Sequence, residues 1–309
     1  MGFREPVNNH NKMMARPCMV LLSFILSAAA LCQSTRSSEQ VRQHVQTILD
    51  NQKGIFALAF KDLSTGQQIC INEHETFHAA STVKTPVMIE VFKQVAAGRL
   101  SLSDSIELKN EFNSLADGSI FKLDSNDDSE KELYAHLGSK RTLSALVYEM
   151  ITKSSNLSTN LLVGLVGAKN AERTMRDMGL KEIRVLRGVE DTKAFEKGLN
   201  NTTTAYDLML LYEKMARGET VSPTASQEMI AILLDQQFHS IIPANLPPTV
   251  KVAHKTGSFQ GVEHDSGIVF LPDGRKYVLV ILSKNLENSE EAVKAMATVS
   301  EILFKYLNP

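Results

Sequence analysis

The sequence predicts an α+β fold: one antiparallel sheet formed from both chain ends, flanked by helices, with an inserted all-helical subdomain. Three observations predict it. Strand-like runs occur only near residues 54–72 and 249–283, helical periodicity fills the stretch between them, and an amphipathic helical pattern stands at each end.

The elements follow in order. Arg4, Lys12 and Arg16 precede an apolar run from Met19 to Leu31 that closes in Ser27, Ala28, Ala29 and Ala30. A positive flank, a short apolar run and small residues at its end make a secretory signal peptide over residues 1–32. The run is shorter than the ~20 residues a membrane-crossing helix needs, so a secreted, periplasmic chain with no transmembrane span in its mature form is expected. Lipid anchoring at Cys32 is disfavoured because bulky Leu31 precedes it.

A helix follows through Val41, Val45, Ile48 and Leu49, then a hairpin from Gly54–Phe60 and Gln67–Asn72 turning at Ser64, Thr65 and Gly66. An apolar helix, Thr82–Ala97, opens at Ser81. From Lys109 to Lys140 the chain is rich in Asp, Asn, Ser and Glu, and a solvated loop is expected. Helical periodicity returns over Thr142–Met150 and Asn156–Val166, and Arg187–Asn201 reads as a loop. Thr202, Thr203 and Thr204 offer caps for a helix over Tyr206–Met215. Thr249–His254, Gly267–Leu271 and Tyr277–Ser283 read as strands, the last two joined by the turn at Pro272, Asp273 and Gly274, and a helix from Ser289 to Leu307 ends the chain. The catalytic domain is thus placed at 38–309, its sheet part at about 38–80 and 220–309 and its helical part at about 81–219.

Of 309 residues 43% are hydrophobic, enough for a substantial core, and the net charge of −2 gives no electrostatic reason to expect nucleic acid. A small molecule or a peptide remains open as partner, and a monomer is expected. Three cysteines occur, two of them in or beside the signal, so Cys70 is left as a single thiol between Ile69 and Ile71, expected to be buried and structural.

Ser81 and Lys84 form S-x-x-K at a helix start. Three residues apart, they share a helix face, so the amine can reach the hydroxyl. A serine N–H at a helix N-terminus can bind a developing oxyanion, and burial there favours a neutral lysine able to take the serine proton. The pattern alone is common: Ser119 and Lys122 repeat it in the polar segment with no helical run behind them. The alternative for Ser81 is an N-cap. Lys255, Thr256 and Gly257 end an alternating strand run and Ser258 continues it. The lysine and threonine can bind a carboxylate, a backbone N–H can serve as second oxyanion donor, and the glycine admits close approach to the backbone. Ser154, Ser155 and Asn156 lie between two helical segments, offering a relay hydroxyl and an amide, or simply a helix cap.

His74, Glu75 and His78 spell H-E-x-x-H, the zinc-protease pattern. That pattern requires a helix to bring both histidines to one metal. Here it is squeezed between a strand ending near Asn72 and a helix opening at Ser81, so no metal site is expected, and no cofactor.

In this order the three serine motifs are those of class A β-lactamases and penicillin-binding proteins, and the chain resembles that superfamily over nearly its whole mature length. The resemblance implies a β-lactamase/transpeptidase-like fold. It implies Ser81 as acylated nucleophile, Lys84 and Ser154 in proton transfer, Asn156 on the substrate amide, and Lys255 and Thr256 on its carboxylate. Two departures stand out. Ser155 replaces an aspartate that is mainly structural in the family, and no arginine follows the third motif, where Val262, Glu263, His264 and Asp265 stand, so carboxylate binding would lean more on Lys255, Thr256 and Ser258.

The resemblance implies β-lactam hydrolysis if a glutamate activates water on the acyl-enzyme. Glu196 and Asn200 match the family's E-x-x-L-N spacing, but the loop after them is short and no arginine stands two residues before Glu196. Glu190 follows Arg187 by three and lies at a more family-like distance from Thr202, yet lacks the paired asparagine. Both stay open, beside the reading of two solvated carboxylates. The other expectations are a D-Ala-D-Ala peptidase using the same nucleophile, and a catalytically silent binding protein on the same scaffold.

Overall fold

The computed structural model of the chain describes Gly2 and residues 37–308; the expected signal segment lies outside the described residues. Helix α1 (Ser38–Asp50) opens with a capping box in which Ser37 and Gln40 each accept the other's backbone N–H, and it buries Val41, Val45 and Leu49 as one stripe. The hairpin β1 (Ile55–Asp62) and β2 (Gln68–Ile71) follows, then β3 (Phe77–His78), a 3-10 turn (Ala80–Val83) and α2 (Lys84–Ala96). Short pieces come next: β4 (Ser105–Glu107), β5 (Phe112–Asn113), β6 (Ile120–Phe121), α3 (Glu132–Ala135) and β7 (Lys140–Thr142). The helical part continues with α4 (Leu143–Thr152), α5 (Asn156–Val166), α6 (Ala168–Asp177), α7 (Thr192–Glu196), β8 (Thr202–Thr203), α8 (Ala205–Ala216) and α9 (Pro223–Leu234). Strands β9 (Lys251–Phe259), β10 (Val262–Phe270) and β11 (Lys276–Lys284) and helix α10 (Ser289–Leu307) complete the fold.

The sheet order is β2-β1-β11-β10-β9, antiparallel throughout. Both chain ends meet at its centre, where β1 pairs with β11 from Ile55 opposite Lys284 to Asp62 opposite Tyr277. The two-residue period of β11 divides the core. Val278, Val280 and Leu282 pack with α2 and α8 on one face, while Tyr277, Leu279 and Ile281 pack with α1 and α10 on the other. The predicted α+β architecture is the observed one.

Four helices escape the periodicity reading: α3 and α7, about one turn each, lie in stretches read as loops, α7 within 187–201, and they are too short to show a period, while α6 and α9 are longer. α6 buries only Ala171, Thr174 and Met175 and is otherwise polar, too narrow a stripe to register. α9 is announced instead by its cap, with Ser222 accepting from the Ala225 N–H and Pro223 in the first turn. The acidic segment requires a correction. It is not simply solvated, because Ser114, Asp128 and Glu130 are buried. Their burial is secured by hydrogen bonds and ion pairs: Ser114 Oγ donates to Asp191, and Glu130 pairs with Lys153. Apolar periodicity cannot register such burial. Cys70 is half-buried on β2, where burial pushes its thiol up to about 11, away from reactivity. No described helix is long and apolar enough to cross a membrane.

Candidate active site

Ser81 sits in the 3-10 turn, not at the cap of α2. The capping position of α2 is Val83, and no side chain caps it, so the Ser81 hydroxyl is not spent on the helix. The turn is pinned on three sides. Ala79 N–H donates to Asn201 O at 2.9 Å, Ala80 N–H to His78 Nδ1 at 3.1 Å, and Thr82 Oγ1 to Ala79 O at 2.6 Å. Ala80 is held at φ +44°, a left-handed conformation that alanine rarely adopts.

Gly257 supports this turn from the sheet. A Cβ at that position would stand 3.2 Å from Ala80 Cβ, 3.2 Å from Ser81 N and 3.3 Å from Thr82 Cγ2. The absent side chain therefore makes room for the Ser81 backbone. That contact brings β9, the edge strand, against the serine turn, with the exposed backbone groups an edge strand carries.

Lys84, fully buried, extends its amine to three acceptors: Ser154 O at 2.6 Å, Asn156 Oδ1 at 2.8 Å and Ser154 Oγ at 3.0 Å. Lys255, also fully buried, reaches the same Ser154 Oγ at 3.1 Å and its neighbour Thr256 O at 3.0 Å. Two amines converge on one hydroxyl. Burial pushes Lys84 down to about 7, against the attraction of Asp128 and Glu190, which favours its charged form. Burial and then repulsion from Lys84 push Lys255 down as well. Burial thus favours the neutral amine of Lys84. Ser154 can then accept from one lysine while donating to the other, the geometry of a proton relay.

Glu190 faces the same centre. Its Oε1 accepts from Asn156 Nδ2 at 2.5 Å, so Asn156 bridges Glu190 and Lys84 through the two ends of its amide. Burial, with Asp128 and Asp127 nearby, pushes the Glu190 carboxyl up from its usual range. Glu190 stands at φ +60° and Ser154 at φ +58°. Of the five non-glycine residues at positive φ among the described residues, Ala80, Ser154 and Glu190 surround this site. Strain kept at three adjoining positions is a mark of a functional constellation.

Comparison with known proteins gives this arrangement its kinship. The family described as "Beta-lactamase enzyme family" matches residues 40–307. The chain belongs to the β-lactamase enzyme family. It is 20% identical to "Beta-lactamase VEB-1" of Pseudomonas aeruginosa, over 96% of this chain and 98% of that one. Among solved structures it is similar to a β-lactamase from Sphaerobacter thermophilus, with a TM-score of 0.75 at 25% identity over 88% of this chain and 98% of that one. It is equally similar to PBP-A, with a TM-score of 0.75 at 25% identity over 87% of this chain and 96% of that one.

Within this member of the β-lactamase enzyme family the remaining sequence-predicted residues are placed as follows. Glu196 lies exposed at the end of α7, on the outer wall of a cleft of about 770 Å³ that also contains Ser81, Asn156, Glu190 and Ser258. Asn200 turns away from the chemistry, accepting from Arg187 Nη2 at 3.0 Å, while Arg187 also donates to Leu199 O and Gly188 O. Asn200, which the E-x-x-L-N spacing pairs with Glu196, is therefore a brace across the 187–201 loop. The position four residues after Glu190 is buried Ala194, and the amide partner of Glu190 is Asn156 instead. Thr256 is half-buried beside Lys255, and Ser258 is exposed at the cleft with its hydroxyl on Glu263. The H-E-x-x-H residues do not converge: His74 lies beside Glu182, while His78, on β3, stacks against Phe259. Ser119 and Lys122 flank β6, with no helix to join them.

Sequence reasoning missed Asp128 and Asn160. Asn160, on α5, holds the backbone of Val189 from both sides, accepting from its N–H at 2.6 Å and donating to its O at 3.0 Å, which fixes the approach to Glu190. Its signal was an asparagine one helical turn from Leu157 and Val163 in a predicted helix.

Proposed function

We propose that the protein is a β-lactam hydrolase that works through an acyl-enzyme on Ser81. The observation that carries this reading is the bridge of Lys84, Asn156 and Glu190, which gathers two proton-handling groups of opposite kind around one cleft. In acylation the Ser81 oxygen bonds to the lactam carbonyl carbon and its proton passes to neutral Lys84. The ring C–N bond breaks, and the nitrogen takes a proton through Ser154, which lies between Lys84 and Lys255. The Ser81 N–H and a backbone N–H of β9 hold the oxyanion, and Lys255, Thr256 and Ser258 face the substrate carboxylate. In deacylation Glu190 takes a proton from water as the water oxygen bonds to the acyl carbon. The ester bond breaks and the Ser81 oxygen recovers its proton. A carboxyl pushed up from its usual range is a stronger base than an ordinary one.

Turnover of a chromogenic cephalosporin, abolished in Ser81→Ala, tests the proposal. One equivalent of bound acyl group without turnover refutes the hydrolase. A second reading, a D-Ala-D-Ala peptidase, is favoured by Ala194 standing where an asparagine would help position water, and by the likeness to PBP-A. Release of D-alanine from a muropeptide supports it, and its absence counts against it. Export forms part of the same proposal, and N-terminal sequencing of the mature protein tests it.

A further inference from the structure

Asp128 is a buried carboxylate, 2% exposed, in the acidic segment ahead of α3. Its Oδ2 accepts from the backbone N–H of Asn156 at 2.9 Å and of Leu157 at 2.9 Å, from Tyr134 Oη at 2.9 Å and from Ser155 Oγ at 3.4 Å. Its Oδ1 accepts from Glu130 N–H at 3.0 Å. The two N–H groups are the first of α5, which have no partner within the helix, so the carboxylate sits on the positive end of that helix. Ser155 is the cap of α5, its hydroxyl accepting from Ser158 N–H. The aspartate absent from the S-x-N motif is thus supplied in space by a residue 27 positions upstream.

We propose that Asp128 is a positioning residue of the acylation centre, holding Asn156, and through it Lys84 and Glu190, by a carboxylate that stands in for the one Ser155 lacks. The inference rests on the acyl-serine reading. Asp128 grips the backbone of the residue whose side chain touches both Lys84 and Glu190. Its charge acts on the same groups. Lys84 is faced by Asp128 from the acidic segment, Glu190 from the loop before α7 and Lys255 from β9, and the two carboxylates favour its protonated form.

Asp128→Asn separates this role from a merely structural one. An amide has one acceptor end, so either the start of α5 or the Glu130 N–H is left facing a donor. Labelling by a fluorescent penicillin, followed in time from pH 5 to 9, is expected to slow about tenfold, with its acid limb displaced toward lower pH because Lys84 loses a neighbouring negative charge. In Asp128→Ala/Ser155→Asp the carboxylate returns from the adjacent position, and both the rate and the limb are expected to recover relative to Asp128→Ala. A folded Asp128→Asn protein that acylates at the wild-type rate, or more slowly with an unmoved acid limb, overturns the inference. If Asp128→Asn does not fold, a folded double variant whose limb is not at the wild-type position overturns it. A wild-type protein that never acylates refutes the acyl-serine reading, a result distinct from these.

Discussion

Gly257→Ala probes the contact between the sheet and the Ser81 turn. The added methyl would sit 3.2 to 3.3 Å from Ala80 Cβ, Ser81 N and Thr82 Cγ2, against an unstrained separation of about 3.5–4.0 Å. None of the three neighbours is the tip of a flexible side chain, and Thr82 is tied through its hydroxyl to Ala79 O. Strand β9 and the serine turn must therefore part by a few tenths of an ångström. Overpacking of this kind costs ~2 kcal/mol, which lowers the melting temperature by about 4–8 °C in a domain of this size. The effect on chemistry should exceed that on stability. Ser81 N is itself pushed, and positional errors approaching 1 Å cost about a hundredfold in rate, so an acylation loss of about tenfold is expected. Thermal unfolding and the rate of fluorescent penicillin labelling measure the two effects. Melting within 1 °C of wild type together with undiminished labelling would refute the packing argument.

Glu190→Gln should leave acylation within a few fold and slow deacylation by about a hundredfold or more, so that intact mass spectrometry finds the acyl adduct; if Glu196→Gln traps it instead, the assignment of Glu190 falls. With Lys84 pushed down to about 7, its neutral form is lost as pH falls, so kcat/KM for acylation should decline below about pH 7. A decline setting in only near pH 10 would mean an ordinary exposed lysine. Gly164 lies exposed within α5 with open space where a Cβ would go, so Gly164→Ala should stabilise by ~0.5–1 kcal/mol and raise the melting temperature by about 2 °C. An unchanged or lower melting temperature would contradict it. His264 is fully buried, and burial pushes it down to about 4, whereas the unfolded chain takes up this proton near 6.5. Its contribution is complete above pH 6.5 and lost as pH falls toward 4, about 3 kcal/mol in all. Urea unfolding at pH 7 and pH 4.5 should show the loss, and His264→Asn should flatten it.

The parts of the fold legible in the sequence are those written in apolar periodicity. The α1 stripe of Val41, Val45 and Leu49 and the alternation of β11 place the sheet and its two cores directly. The S-x-x-K and K-T-G motifs were equally plain, because each depends on neighbours along one element. What the sequence concealed depends on hydrogen bonds between segments. Spacing favoured Glu196, since it has an asparagine four residues on, yet that asparagine is occupied by Arg187. Glu190 reaches the centre because Asn160 clamps Val189 and a left-handed backbone turns the carboxylate inward. Neither feature leaves a periodic trace.

The same physics bears on the substitution at Ser155. A buried helix start requires an acceptor for its first N–H groups, and any carboxylate that reaches them satisfies the requirement. Asp128 does so from a segment whose composition resembles a solvated loop, with Tyr134 and Glu130 N–H holding it in place. The Ser155 hydroxyl remains free to cap α5 through Ser158. An apparent defect in a linear motif is therefore compatible with an intact centre, since Lys84 and Glu190 respond to where a negative charge lies and not to which stretch of chain supplies it.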